Sequence, residues 1–368
     1  MNTRFAPFRP LHGTPARNDD PLRPLPSSPL PPPVPHHPPG LRVNVLLFLA
    51  TVVTTILAGA WQAKGSEAFS SLGNVLAGVP FSAALLGILL AHEMGHYFTS
   101  RHYGVPASLP YFIPVPTLIG TMGAVIRMRG VIRNRRVLFD IGIAGPLAGL
   151  VVAIPATLLG LHHSQVIQAG STAGGIDLGD SLLFLALVRG VFGSLGEGQT
   201  VLLHPVAFAG WLGFFVTSLN LLPMGQLDGG HVTYGILGHR HRVVSRAVFL
   251  ALVFWGVHEA FDGIHPLAWL WAFGFCWVAI RATFSPQRSP FLKFLALFLA
   301  IAGIVENLVP STSVWVVWAV VMCFLRLDHP PTGDIAVPLD PRRKALGWIA
   351  LILFLLTFIP EPFREILP

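Results

Sequence analysis

The stretch Val79-Pro-Phe-Ser-Ala-Ala-Leu85-Leu-Gly-Ile-Leu-Leu-Ala91-His92-Glu93-Met-Gly95-His96-Tyr97-Phe98 is almost wholly apolar until Ala91, and then places two imidazoles and a carboxylate within one and a half helical turns. A run of this length spans a bilayer as a helix. On that helix His92 and His96, four residues apart, share a face where both rings can reach one zinc ion, and Glu93 projects beside them toward a metal-bound water. Glu93 is the only acidic residue between Glu67 and Asp140. A charged carboxylate within a spanning helix costs roughly 2.5–3.5 kcal/mol even on the gentler insertion scales. The pattern therefore reads as a catalytic metal site set inside a membrane.

Composition agrees. Of 368 residues 53% are hydrophobic and only 11% charged, and the mean hydropathy is +0.65. An average soluble chain is about 25% charged, so this one lacks the polar surface for a water-facing globule, and a soluble enzyme is excluded. Nine apolar segments recur, near 43–62, 79–100, 137–161, 206–236, 245–260, 267–280, 290–305, 313–325 and 345–360. Several later ones are short for a hydrocarbon core of about 30 Å, which leaves eight or nine crossings. Alternate connecting segments hold 21 of the 24 Lys and Arg residues. That alternation predicts a cytoplasmic N-terminus, with 101–136 and 326–344 on the same side. The net charge of +7 is then a topology signal, and no nucleic-acid partner is expected. Cys276 and Cys323 both lie in apolar stretches and offer no disulfide framework.

The first 40 residues contain 13 of the 33 prolines. They cannot bury a core, so residues 1–42 are expected to be a disordered cytoplasmic tail, with a docking partner for its Pro-rich stretches as the alternative to a plain tail.

Two histidines leave a catalytic zinc short of a ligand, because such sites use three protein donors and an open position. The candidate third donor lies in Ser218-Leu-Asn220-Leu-Leu-Pro223-Met-Gly225-Gln-Leu-Asp228-Gly229-Gly230-His231. Pro223 and the glycines break the helix there, and irregular backbone at membrane depth is tolerated only against protein or a watery cavity. Asp228 is the candidate donor and His231 its rival.

Together, His92-Glu93-x-x-His96 and Asn220-x-x-Pro223-x4-Asp228-Gly229 resemble the site-2 proteases, intramembrane zinc metalloproteases. Phe139-Asp140-Ile-Gly142-Ile-Ala-Gly145-Pro146-Leu-Ala-Gly149 is similar to the family's middle core helix. Tyr111-Phe-Ile-Pro114-Val-Pro116 through Gly120-Thr-Met-Gly123-Ala-Val-Ile-Arg127, and His329-Pro-Pro331, are similar to the branch with bacterial and chloroplast members. No PDZ-like or cystathionine-β-synthase-like insertion is evident.

The resemblance implies an all-α polytopic membrane protein with a three-helix catalytic core and a small membrane-associated β-hairpin. It implies one zinc per chain held by His92, His96 and Asp228, with Glu93 as general base toward a zinc-activated water. Asn220 is the candidate for binding the substrate backbone or the developing oxyanion. The implied activity is endopeptidase cleavage within or near transmembrane segments of membrane-anchored substrates, in a bacterial cell membrane; the basic-residue alternation puts the site in the cytoplasmic leaflet. The expected partners are such a substrate and the lipid bilayer. The expected divisions are the tail, a first helix and loop over 43–78, the catalytic core over 79–236 and additional helices over 237–368.

Further residues carry weaker readings. Gly145 and Gly149 form a small-xxx-small pair expected to serve helix packing. Alternation over Gly123–Arg129 suggests a strand whose open edge could pair with an unwound substrate. Its arginines and their neighbours (127, 129, 133, 135 and 136) are expected to meet anionic headgroups. Asp140 either pairs with one of those arginines or supports a ligand histidine. The cluster His258-Glu259-Ala-Phe-Asp262-Gly-Ile-His265 falls at the opposite surface and reads as a solvated loop. A CAAX-type membrane protease would need a glutamate such as Glu259 near the histidines, and a metal transporter would need carboxylates through the full bilayer; neither pattern is present.

Overall fold

The protein is described from a computed structural model that covers residues 41–130, 132–168, 176–258, 266–284, 290–305, 314–325, 327–334 and 337–365. The Pro-rich tail up to residue 40 and the cluster from Glu259 to His265 lie outside the described residues. Chain order begins with α1 (Leu41–Lys64), α2 (Leu72–Leu76) and α3 (Val79–His102), then a hairpin of β1 (Tyr111–Pro114) and β2 (Thr121–Val125). After it come α4 (Arg135–His162), β3 (Gln165–Gln168), β4 (Ile176–Leu178), α5 (Leu182–Phe192), β5 (Gln199–Leu202) and α6 (Pro205–Leu221). The remainder is α7 (Asp228–Leu237), α8 (His241–His258), α9 (Pro266–Phe284), α10 (Pro290–Val305), α11 (Val314–Phe324), α12 (Pro341–Thr357) and β6 (Phe363–Glu365).

Each of the nine apolar segments contains helix among its described residues, but they are not equivalent. Among the described residues Leu41–Glu67, Leu72–His102 and Arg135–His162 are long and apolar enough to cross a membrane, while five further apolar helices are shorter. The segment expected over 206–236 is two helices, α6 and α7, parted at Pro223, where the missing N–H and the glycines end the first helix. The connection from 163 to 204 falls between two of the apolar segments, with no element expected in it. It instead contains α5 and two small antiparallel pairings, β3 with β5 and β4 with the C-terminal β6. The strands in this region are only three or four residues long, too short for a period-2 pattern to stand out.

The segments that carry the histidine motif and Asp228 meet at a three-helix core. α3 and α4 cross where a Cβ on Gly95 would fall 2.5 Å from the Ala144 carbonyl, so only glycine allows that approach. Phe81, Leu85, Ile88 and Leu89 of α3, Leu150 and Ala153 of α4, and Trp211, Leu212 and Phe214 of α6 fill the core and are almost fully buried. Among helices already in lipid, which is as apolar as these side chains, it is close van der Waals packing and not removal from water that holds this layer together and fixes the helix register on which the polar site depends.

The hairpin lies along α1 and not at its end. Asn44 Nδ2–H donates to the carbonyls of Leu109 (3.1 Å) and Pro110 (2.9 Å), Thr54 Oγ1–H to Gly120 (2.6 Å) and Gln62 Nε2–H to Leu118 (2.9 Å). From Asn44 to Gln62 the helix rises about 27 Å, so the hairpin spans most of the depth of a hydrocarbon core. Its tip turns at Gly120, where φ is +81° and a Cβ would meet the Thr54 carbonyl at 2.5 Å. The strand expected over 123–129 ends at Val125, and pairing resumes beyond it through the Ala107 to Met128 bridge.

Candidate metal centre

His92 and His96 project from one face of α3 into the core, where both are buried. Asp228 is the first residue of α7, placed there by the break after α6. The structure brings the three side chains to one point. Asp228 Oδ2 lies 3.1 Å from His92 Nε2 and 3.2 Å from His96 Nε2, and the two Nε2 atoms are 3.1 Å apart. Among the described residues this is the one group of three His, Cys, Asp or Glu side chains close enough to hold a metal ion.

Chemistry supports the fit. His96 Nδ1–H donates to the Ile141 carbonyl at 2.7 Å. A carbonyl only accepts, so the proton of the neutral ring is on Nδ1 and the Nε2 lone pair faces the triangle. A bare imidazole nitrogen, a second imidazole and a carboxylate oxygen within 3.2 Å share too few protons to satisfy one another. A tetrahedral ion satisfies all three, since donors about 2.05 Å from a zinc stand about 3.3 Å apart.

Glu93, next on α3, is also buried, close to the backbone of Ile126 just past β2. Asn220, near the end of α6, has its side-chain nitrogen 3.2 Å from His92 Nε2. Each of the five expected site residues thus faces one buried locus, although Glu93 and Asn220 are not part of the three-atom cluster. His231 is not part of it either: His231 Nδ1–H donates to His329 Nε2 at 2.8 Å. Burial pushes the His329 ring below the ordinary histidine range, in keeping with its role as acceptor.

The structure gives several residues around the site roles that the sequence does not reveal. A Cβ on Gly145 would overlap the His96 imidazole, falling 2.5 Å from Cδ2 and Cε1, and one on Gly149 would lie 3.3 Å from His92 Nδ1. The pair expected to serve helix packing also makes room for the two rings. Asp140 pairs neither with a hairpin arginine nor with a ligand histidine, because Arg343 of α12 takes both its oxygens. Glycine spacing could have suggested the first of these; nothing local to Asp140 points to a residue 203 positions away.

Residues 80–258 match the family described as Peptidase family M50, in keeping with the resemblance to the site-2 proteases. The probable zinc metalloprotease EGY1, chloroplastic, of Arabidopsis thaliana is 36% identical over 166 residues, 44% of this chain and 30% of that protein. The probable zinc metalloprotease EGY2, chloroplastic, of the same plant is 26% identical over 325 residues, 88% of this chain and 48% of that protein. EGY1 of Oryza sativa subsp. japonica, also named as a probable chloroplastic zinc metalloprotease, is 35% identical over 169 residues, 44% and 28% of the two chains. The chain spans less than half the length of these relatives. No solved structure matches it.

Proposed function

We propose that the chain is an intramembrane zinc endopeptidase that hydrolyses peptide bonds within or near transmembrane segments of membrane-anchored proteins. The observation that carries this reading is the buried triangle of His92, His96 and Asp228 beside Glu93, on helices apolar enough to lie in a bilayer. The relatives' names as zinc metalloproteases support the same chemistry.

His92, His96 and Asp228 would hold the ion, which supplies a Lewis acid and lowers the pKa of a bound water toward about 7. Glu93 acts as general base, taking a proton at its carboxylate and handing it to the leaving amine. Asn220 offers its amide N–H groups to the carbonyl oxygen as charge develops there. The outer edge of β2 has no strand partner among the described residues, so an unwound substrate segment can pair there beside Glu93, exposing the bond that a helix would hide.

The Lys and Arg alternation supports eight or nine crossings, with the N-terminus, 101–136 and 326–344 on the cytoplasmic side and the site in that leaflet. Within this reading 1–42 is a tail open to a docking partner, 43–78 a first helix and loop, 79–236 the catalytic unit and 237–368 supporting helices. The partners are the lipid bilayer and a substrate with a transmembrane segment. The relatives carry chloroplastic names, so the comparisons lend no support to a bacterial cell membrane.

The test is Glu93→Gln in purified protein with a transmembrane reporter substrate. Zinc content should stay at one per chain while cleavage is lost, and undiminished cleavage would remove Glu93 from the mechanism.

A further inference from the structure

Residues 327–334, between α11 and α12, lie far from the metal motif in sequence yet bind both sides of it. Ser245 Oγ–H donates to the Leu327 carbonyl (2.9 Å) and accepts Gly225 N–H (3.0 Å), tying this segment to the break that precedes Asp228. Further on, Gly333 N–H donates to Ile132 O (2.9 Å) and Asp334 N–H to Arg133 O (2.7 Å), just before α4 begins. Between these ties stands His329. Its ring stacks on Tyr234 of α7 with centroids 4.5 Å apart, and its Nδ1–H donates to Pro330 O at 2.6 Å. That bond leaves Nε2 bare, and His231 Nδ1–H donates to it.

The bond matters because of how α7 starts. Its N-cap residue is Leu227, which has no side-chain cap, and the Asp228 carboxylate is turned to the two histidines. An uncapped helix end leaves orphan N–H groups and frays. The first turn is closed by His231 N–H to Leu227 O at 2.9 Å. His231 is itself wedged: a Cβ on Gly142 of α4 would fall 2.7 Å from its Cβ, and His329 holds its ring from the other side. Gly142 follows Ile141, whose carbonyl orients His96.

We infer that His329 is a positioning residue for the metal site. By accepting the His231 proton it fixes the first turn of α7, and through it the Asp228 carboxylate, against α4. The segment carrying His329 therefore completes the site from the C-terminal third of the chain. This inference rests on the zinc reading and adds to it a residue outside the 80–258 domain.

The experiment measures zinc affinity by chelator competition on the purified full chain, together with the visible spectrum of the cobalt(II)-substituted protein. His329→Phe keeps a ring for Tyr234 but accepts no hydrogen bond, whereas His329→Gln keeps an acceptor. The Phe variant should bind zinc about 10–100-fold more weakly, the range for lost outer-shell partners of metal ligands, with altered cobalt bands. The Gln variant should stay close to wild type in both. Wild-type affinity in His329→Phe, or equal loss in both variants, would overturn the assignment. If the Phe variant does not fold, His231→Leu removes the same bond from the donor side, and unchanged affinity there overturns it equally. His92→Ala separates the two layers. If it still binds zinc like wild type, the metal reading itself fails; if it loses zinc while His329→Phe binds tightly, only the positioning role fails.

Discussion

Arg343, in the first turn of α12, forks onto Asp140 of α4, with Nε–H donating to Oδ1 at 2.8 Å and an Nη2–H to Oδ2 at 2.6 Å. Asp340 takes an Nη1–H, and Tyr103, just past α3, donates its hydroxyl to Asp140. That bond to Asp140 holds the Tyr103 phenol above its ordinary range. One guanidinium thus joins the C-terminal helix to both helices flanking the metal centre.

Because the pair is mostly shielded, with side chains 25% and 17% exposed, its loss should exceed that of a surface ion pair. Arg343→Met is expected to destabilise by about 2 kcal/mol, between the exposed and fully buried cases. Arg343→Lys should recover little of it, since a single ammonium cannot form the fork. Adding Asp140→Asn to Arg343→Met should restore part of the loss by removing the stranded charge. Thermal midpoints of the purified variants in one detergent check all three, and additive losses in the double variant would show that the residues are not coupled.

Gly145 yields a graded prediction. Alanine there would drive a methyl group into the His96 ring, whereas at Gly149 the nearest His92 atoms are 3.3 Å away and can shift slightly. Gly145→Ala should weaken zinc binding by at least about 100-fold, the upper end of the outer-shell range, and Gly149→Ala far less. Metal analysis after dialysis against a weak chelator separates them, and equal retention would mean that helix packing absorbs both methyl groups.

The elements carrying the chemistry were legible because charge is scarce: a lone Glu93 between two histidines four apart, and Asp228 after a Pro-Gly break, stand out in an apolar chain. Most of the helices were legible from apolar runs, but α5, short and set inside a connecting segment, was not. Contacts made between distant segments were hidden. Nothing around Asp140 names Arg343, and nothing around His231 names His329, because those pairings depend on how α12 and the 327–334 segment pack over the core. The hairpin's reach along α1 was hidden for a related reason. Asn44, Thr54 and Gln62 look like isolated polar residues in an apolar helix until the carbonyls they serve are in place.

Asp228→Asn keeps shape and removes charge. The expected outcome is zinc binding reduced by more than the 10–100-fold typical of an outer-shell loss, because a donor in the triangle itself is altered. Full zinc occupancy in this variant would return His231 to consideration as the third ligand, although its Nδ1–H is committed to His329.

The pairing of β4 with β6 makes a topological prediction. Residues 176–178 and 363–365 form one ladder, so cysteines introduced at Asp177 and after Pro368 should be labelled from the same side of the membrane. By the basic-residue alternation that side is opposite to 326–344. An impermeant thiol reagent on sealed vesicles reads both positions, and labelling of the C-terminal site from the side of 326–344 would remove one crossing.

Asn220 tests whether the site stabilises developing charge as well as binding a metal. Its amide nitrogen stands 3.2 Å from His92 Nε2, close enough to face a carbonyl oxygen placed at the open coordination position. An asparagine that only joined helices would lower stability when removed but leave the rate per folded molecule intact. An oxyanion donor behaves oppositely, and removing one lowers kcat by about 10²–10³. Asn220→Ala is therefore expected to keep its zinc and its melting midpoint to within a few degrees while losing turnover on that scale, with KM little changed. Asn220→Asp, which puts a negative charge where charge must develop, should be slower still. Unchanged kcat in the alanine variant, measured against folded and zinc-loaded protein, would leave Asn220 as a packing residue.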